Sequence, residues 1–123
     1  MGKQPARFVN KPWGHEEIFA VTDHYAGKIL VISAGESLSL QYHEEKEETI
    51  RVLDGELQFE SGENLETLTT EILKPGDIFH VPPGLIHRMT AIQDCRLLEV
   101  STPQLDDVVR LQDRYGREGS KAP

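Results

Sequence analysis

A single cysteine, Cys95, leaves no partner for an intrachain disulfide, and a reducing compartment is the expected setting. Long apolar runs are missing as well. No window approaches the length of a membrane span, and the start, MGKQPARFVNKPWG, lacks a signal-peptide apolar core. Gly2 follows Met1, but Ala6 stands where a myristoylation signal needs Ser or Thr. The expectation is a cytoplasmic protein with no membrane partner. Positive charge is scarce too: 13 Lys and Arg against 21 Asp and Glu give a net charge of -8. With no basic stripe visible, nucleic acid is not the expected partner. An anionic ligand then depends on local cations such as Lys28, Lys46, Arg51 or Arg88.

What is present fits one domain: 123 residues, 37% of them apolar and 28% charged. Residues 1–12 are polar, hold Pro5 and Pro12, and read as an N-terminal arm. Trp13 follows in a turn, Lys11-Pro12-Trp13-Gly14, placed to cover one end of a core, while His15 and His24 read as loop or surface residues. Short apolar runs then alternate with turn residues. Strands are expected at 16–21, 25–33, 37–42, 49–53, 56–60, 67–73, 78–81, 87–92 and 96–101, with Asp54-Gly55 as a hairpin turn. Nine short strands without helical period imply an all-β sandwich or barrel. Over Gln104–Tyr115 the period changes: Leu105, Val108, Val109 and Leu111 recur at helical spacing, with Asp106 and Asp107 in the first turn. A short C-terminal helix is expected there, closing a barrel domain of residues 13–117 ahead of a disordered tail, 118–123.

The densest chemistry lies in Gly35–Gly55. Gln41 and His43 are two apart, so in a strand they share a face, and Glu48 can return from the next strand across a short charged turn. His87, just after Pro82-Pro83-Gly84, supplies a fourth donor. An amide oxygen, two imidazoles and a carboxylate suit one divalent transition metal per chain: zinc first, then Mn, Fe, Ni or Co. With Glu48 inward, Ile50 and Val52 follow it. With Gln41 and His43 inward, Leu38, Leu40 and Tyr42 fall on the opposite face and, with outward Leu53, want a cover, which a homodimer would provide.

These two segments resemble the two cupin motifs: G, five residues, HxH, four, E, six, G; then G, five, PxG, two, H, three, N. Every spacing matches, with Gln41 for the first His and Ala91 for the final Asn. The implied fold is a single-domain cupin, a double-stranded β-helix or jelly-roll barrel. Over residues 8–117 the chain further resembles the cupin domain of type II mannose-6-phosphate isomerases. Lys11-Pro12-Trp13-Gly14, Leu38–His43, Pro82–His87 and Asp106–Arg117 carry that likeness. In that family the domain often follows a sugar-nucleotide pyrophosphorylase domain, absent here, so a stand-alone cupin is expected.

The resemblance implies a metal-binding sugar or sugar-phosphate isomerase with metal ligands Gln41, His43, Glu48 and His87. Glu45, Glu47 and His80 are the candidate bases for moving a proton between C1 and C2. The alternatives are a sugar-binding or sensory cupin without catalysis, and a metal-dependent oxygenase. One departure bears on the ligand. Where the family places two further histidines, this chain has Glu44 and Glu45, beside Lys46 and Glu47. Were this turn to border the mouth, its carboxylates would lie within about 10 Å of a bound phosphate. A neutral sugar is therefore expected to bind better than mannose 6-phosphate.

Overall fold

The computed structural model describes residues 2–120. Among them eleven strands form two antiparallel sheets, and no α-helix is present. The six-stranded sheet runs β1 (Arg7–Lys11), β2 (Gly14–Val21), β3 (Ala26–Ile32), β10 (Cys95–Ser101), β5 (Glu48–Asp54) and β8 (Ile78–Val81). The five-stranded sheet runs β11 (Val109–Gln112), β4 (Leu40–Tyr42), β9 (Ile86–Ala91), β6 (Leu57–Gly62) and β7 (Thr69–Leu73). One 3₁₀ turn, Leu65–Thr67, joins β6 to β7.

Inward positions of both sheets meet in one apolar cluster that includes Leu30, Ile50, Val52, Phe59, Val81, Met89 and Leu97. Trp13 joins it at 3% exposure. In β5 the period-two pattern places Glu48, Ile50 and Val52 inside and Arg51 and Leu53 outside. The metal-capable carboxylate therefore shares the face of the core.

Five expectations change. Arg7–Lys11 is not a loose arm but an edge strand paired with β2 from Arg7↔Ile18 to Lys11↔Gly14, and Pro12 enters only at the turn. Asp54-Gly55 does not close a hairpin. β5 and β6 belong to different sheets, so this turn rounds a corner between them. A corner needs positive φ as much as a hairpin does, and Gly55, at φ +80°, supplies it; an added Cβ would lie 2.2 Å from the Asp94 carbonyl oxygen.

The C-terminal helix is absent. Its place is taken by a turn-rich strap leading into β11, which pairs with β4 through Val109↔Tyr42 and Arg110↔Gln41. The helical spacing of Leu105 and Val108 arises because both line the same interior pocket. The Asp107 carboxylate takes N–H groups from a distant turn rather than from a helix of its own. Too few residues remain for a helix that propensity alone could hold. Of the expected tail, residues 118–120 are tied down: Gly119 N–H donates to the Arg110 carbonyl at 3.2 Å and Arg110 Nη1 donates to the Ser120 carbonyl at 2.5 Å. Residues 121–123 lie outside the described residues.

Finally, Leu40 needs no second subunit. It is 1% exposed within the single chain, and Leu38 packs on the core. Alternation breaks before β4, because Ser37 forms an isolated bridge to Thr90 and β4 begins only at Leu40.

Candidate metal centre

Three residues expected as ligands converge. His43 follows β4, Glu48 opens β5 and His87 lies in β9; the three are 3%, 2% and 0% exposed. One donor atom from each lies within 4.8 Å of the others. His43 Nε2 is 3.0 Å from Glu48 Oε1, and His87 Nε2 is 3.4 Å from the same oxygen. The far side of each ring is fixed by a carbonyl. His43 Nδ1–H donates to the Asp107 carbonyl at 2.5 Å, and His87 Nδ1–H donates to the Leu85 carbonyl at 3.0 Å. Since a carbonyl can only accept, a neutral ring held this way turns its Nε2 lone pair toward Glu48.

Two lone pairs and a carboxylate facing one another at buried positions could hold a cation. Glu48 Oε2 and His87 Nε2 are buried without a hydrogen-bond partner among the described residues. An N,N,O donor set of this spacing suits a divalent ion. Gln41 stands beside it. It is the register partner of His87 and lines a pocket with His43 and Glu48, while its Oε1 accepts from Ser39 Oγ at 2.6 Å and keeps a second lone pair.

The residues expected as bases are elsewhere. Glu45, Glu47 and His80 are exposed, with His80 Nε2 against Glu47 Oε2 at 2.5 Å on the outer surface. Phe79 packs against the core and Val81 belongs to it, so strand alternation sends His80 outward. Of the charged turn only Lys46 enters the interior; Glu44 also stays in solvent.

In their place sits a buried charge ladder on the inner face of the six-stranded sheet. Glu16 pairs with Lys28 at 3.0 Å, Lys28 lies 3.8 Å from Glu99, and Lys46 lies 3.1 Å from Glu99 and 3.6 Å from Glu48. Burial works against the Glu48 charge, but the Lys46 ammonium beside it outweighs that and holds its carboxyl well below the usual range. Burial pushes Glu99 up to about 7, helped by the Glu48 charge and opposed by Lys46 and Lys28. Lys46 stays charged: burial disfavours its ammonium, and Glu99 and Glu48 outweigh that. A parity signal for Lys28 and Glu99 was present, since each holds an inward position within an apolar strand, AGKILVI and CRLLEVS.

Ladder and ligands open on a pocket of about 280 Å³. Its wall carries six lysine and arginine side chains against four carboxylates, which reverses the sign of the whole chain. Lys11, Arg110 and Arg117 form the cationic side. Arg117 is matched by Asp113 at 2.8 and 3.1 Å, whereas the buried Nε of Arg110 has no hydrogen-bond partner among the described residues. Burial lowers the Lys11 pKa; Glu16 opposes this, and Lys28, Arg110 and Arg117 add to it. Sequence reasoning missed Lys11, Arg110 and Arg117 because it read their segments as an arm, a helix and the stretch just past that helix.

Comparisons with known proteins agree with this architecture. A family model described as a cupin domain matches residues 28–101. The xanthan biosynthesis protein XanB of Xanthomonas campestris pv. campestris is 29% identical over 116 residues, 90% of this chain and 24% of that protein. Mannose-1-phosphate guanylyltransferase ManC of Salmonella typhimurium is 31% identical over 117 residues, 90% of this chain and 23% of that protein. The chain thus spans about a quarter of the length of these relatives. Among solved structures, KdgF from Halomonas sp. superposes with a TM-score of 0.69 at 20% identity, over 81% of this chain and 90% of that one. Capsular polysaccharide assembling protein CapF from Staphylococcus aureus superposes with a TM-score of 0.73 at 15% identity, over 90% of this chain and 35% of that one. Both structural likenesses speak to the fold.

Proposed function

The chain belongs to the cupin family, and from that premise we propose that it is a metal-dependent enzyme of sugar metabolism, an aldose–ketose isomerase resembling the type II mannose-6-phosphate isomerases. The carrying observation is the His43–Glu48–His87 cluster at a pocket with a cationic wall. Gln41 completes the proposed ligand set. A divalent ion held there would polarise the carbonyl and hydroxyl oxygens of an open-chain sugar.

The remaining work falls to the chain's own groups. Isomerisation moves one proton between C1 and C2, so it needs a base on the pocket wall that can release what it takes. Glu99 lines the pocket between Lys28 and Lys46 and takes over the role expected of Glu45, Glu47 or His80. Lys28 and Glu16 offer donors and acceptors for sugar hydroxyls.

The cationic wall favours a sugar carrying an anionic group. The preference for a neutral sugar assumed that the turn's carboxylates face the mouth, whereas Glu44, Glu45 and Glu47 are exposed and none of them lines the pocket. The test is turnover by metal-loaded protein offered mannose or mannose 6-phosphate. We expect ketose phosphate from the phosphate ester and little from mannose. Equal turnover of both would remove the anion preference. Binding without turnover would leave a sugar-binding cupin, and turnover only with oxygen would leave an oxygenase.

A further inference from the structure

Asp107 lies outside both metal-motif segments, 64 residues along the chain from His43, yet it grips the peptide that joins two of the ligands. Its carboxylate collects three backbone N–H groups: Glu44 N at 3.0 Å on Oδ1, and Glu45 N at 2.7 Å and Lys46 N at 2.8 Å on Oδ2. Its carbonyl oxygen accepts Nδ1–H of His43. One residue thus holds the His43 ring from behind and the 44–46 turn from the side. That turn ends two residues before Glu48, and its Lys46 reaches back to Glu48 and Glu99.

We propose that Asp107 is the positioning residue of the metal centre, fixing His43 and Glu48 in their ligating arrangement before an ion arrives. The proposal rests on the reading that this centre holds a metal. Hydrogen bonds to an ionised carboxylate are stronger than neutral ones, and three converging on one group define the turn in a way that a single bond cannot. Charge matters as well as shape. Asn at 107 keeps one acceptor oxygen but turns an NH₂ group toward N–H donors. Released from the clamp, the turn could open and the imidazole could rotate, so binding would carry the ordering cost that the native site has already met.

A merely structural role for Asp107 would be to tie the strap of residues 103–108 to the barrel. Tyr115→Phe separates the two, because Tyr115 tethers the same C-terminal segment at another point: its hydroxyl donates to Glu36 and accepts from Ser37 N. Metal affinity is measured by chelator competition with Zn²⁺, and ligand geometry by the visible spectrum of the Co²⁺ form, with melting of the metal-free proteins recorded beside them. The variants are Asp107→Asn, Asp107→Glu, Tyr115→Phe and His87→Ala.

We expect Asp107→Asn to bind Zn²⁺ about 10–100-fold more weakly with an altered Co²⁺ spectrum, the range seen for outer partners of metal ligands. Asp107→Glu should recover part of the affinity, and Tyr115→Phe should lower the melting temperature while keeping wild-type affinity. Wild-type affinity in a folded Asp107→Asn, with metal lost in His87→Ala, would overturn the positioning role alone. An equal loss in Tyr115→Phe would overturn it as well, since strap attachment would then be the cause. Should Asp107→Asn not fold, wild-type affinity and spectrum in Asp107→Glu would have the same force. Wild-type protein that takes up neither ion would overturn the metal reading together with this one.

Discussion

Glu99 is the residue on which a catalytic reading turns. It is 3% exposed and lies between two lysines, on a strand whose outward neighbours are Leu98 and Val100. A carboxylate at such a position carries a desolvation cost that the lysines offset only in part, which leaves its pKa about 7. Glu99→Gln keeps shape and hydrogen bonding but cannot take a proton. We expect metal content to stay at the wild-type level and turnover of the preferred sugar to fall about 10²–10⁴-fold, the usual worth of a positioned acid–base group. Metal analysis and steady-state kinetics on the same preparation check both halves. Full activity in the variant would assign the proton transfer to another group.

Strands were legible because their face alternation is local: Glu48, Ile50 and Val52 could be placed inside from the sequence, and His87 could be matched to Glu48 by the resemblance to the two cupin motifs. The ends of the chain were not legible for the same reason. β1 and β11 exist through pairing with β2 and β4, so nothing within Arg7–Lys11 or Val109–Gln112 announces them. The acidic pair Asp106-Asp107 suits a helix start as well as a clamp on a turn more than 60 residues away. Only the fold decides between them.

The C-terminal strap also carries a pH-sensitive contact, the pair between Asp113 and Arg117. Burial opposes the Asp113 charge, but the Arg117 side chain and backbone N–H outweigh it, so the folded pKa lies below the ordinary carboxyl value of about 3.9. The resulting stability is present above that unfolded value and is lost as pH falls through the folded one. Asp113→Asn should cost about 1–3 kcal/mol at pH 7, and the gap to wild type should shrink toward pH 3. Urea unfolding at both pH values is the check, and an unchanged gap would remove the charge from the account.

Across the whole molecule, charge is sorted rather than spread. The chain carries net -8, while lysines and arginines gather around one interior pocket. A count over the full sequence averages the two, and for that reason composition left an anionic ligand dependent on local cations that it could not place. The face that suggested assembly is smaller than strand alternation implied, with Leu53 left exposed on it. A homodimer was expected to cover Leu38, Leu40 and Tyr42, but Leu40 is already buried by its own chain and Leu38 faces the pocket. No helix among the described residues is long and apolar enough to cross a membrane.

Everything proposed for this fold passes through the cluster of His43, Glu48 and His87, with Gln41 beside it. The direct measurement is elemental analysis of purified wild-type protein and His87→Ala, each dialysed against limiting divalent metal. The account predicts close to one transition-metal ion per wild-type chain and almost none in a His87→Ala protein that still melts cooperatively. Equal metal content in the two, or none in either, would contradict it.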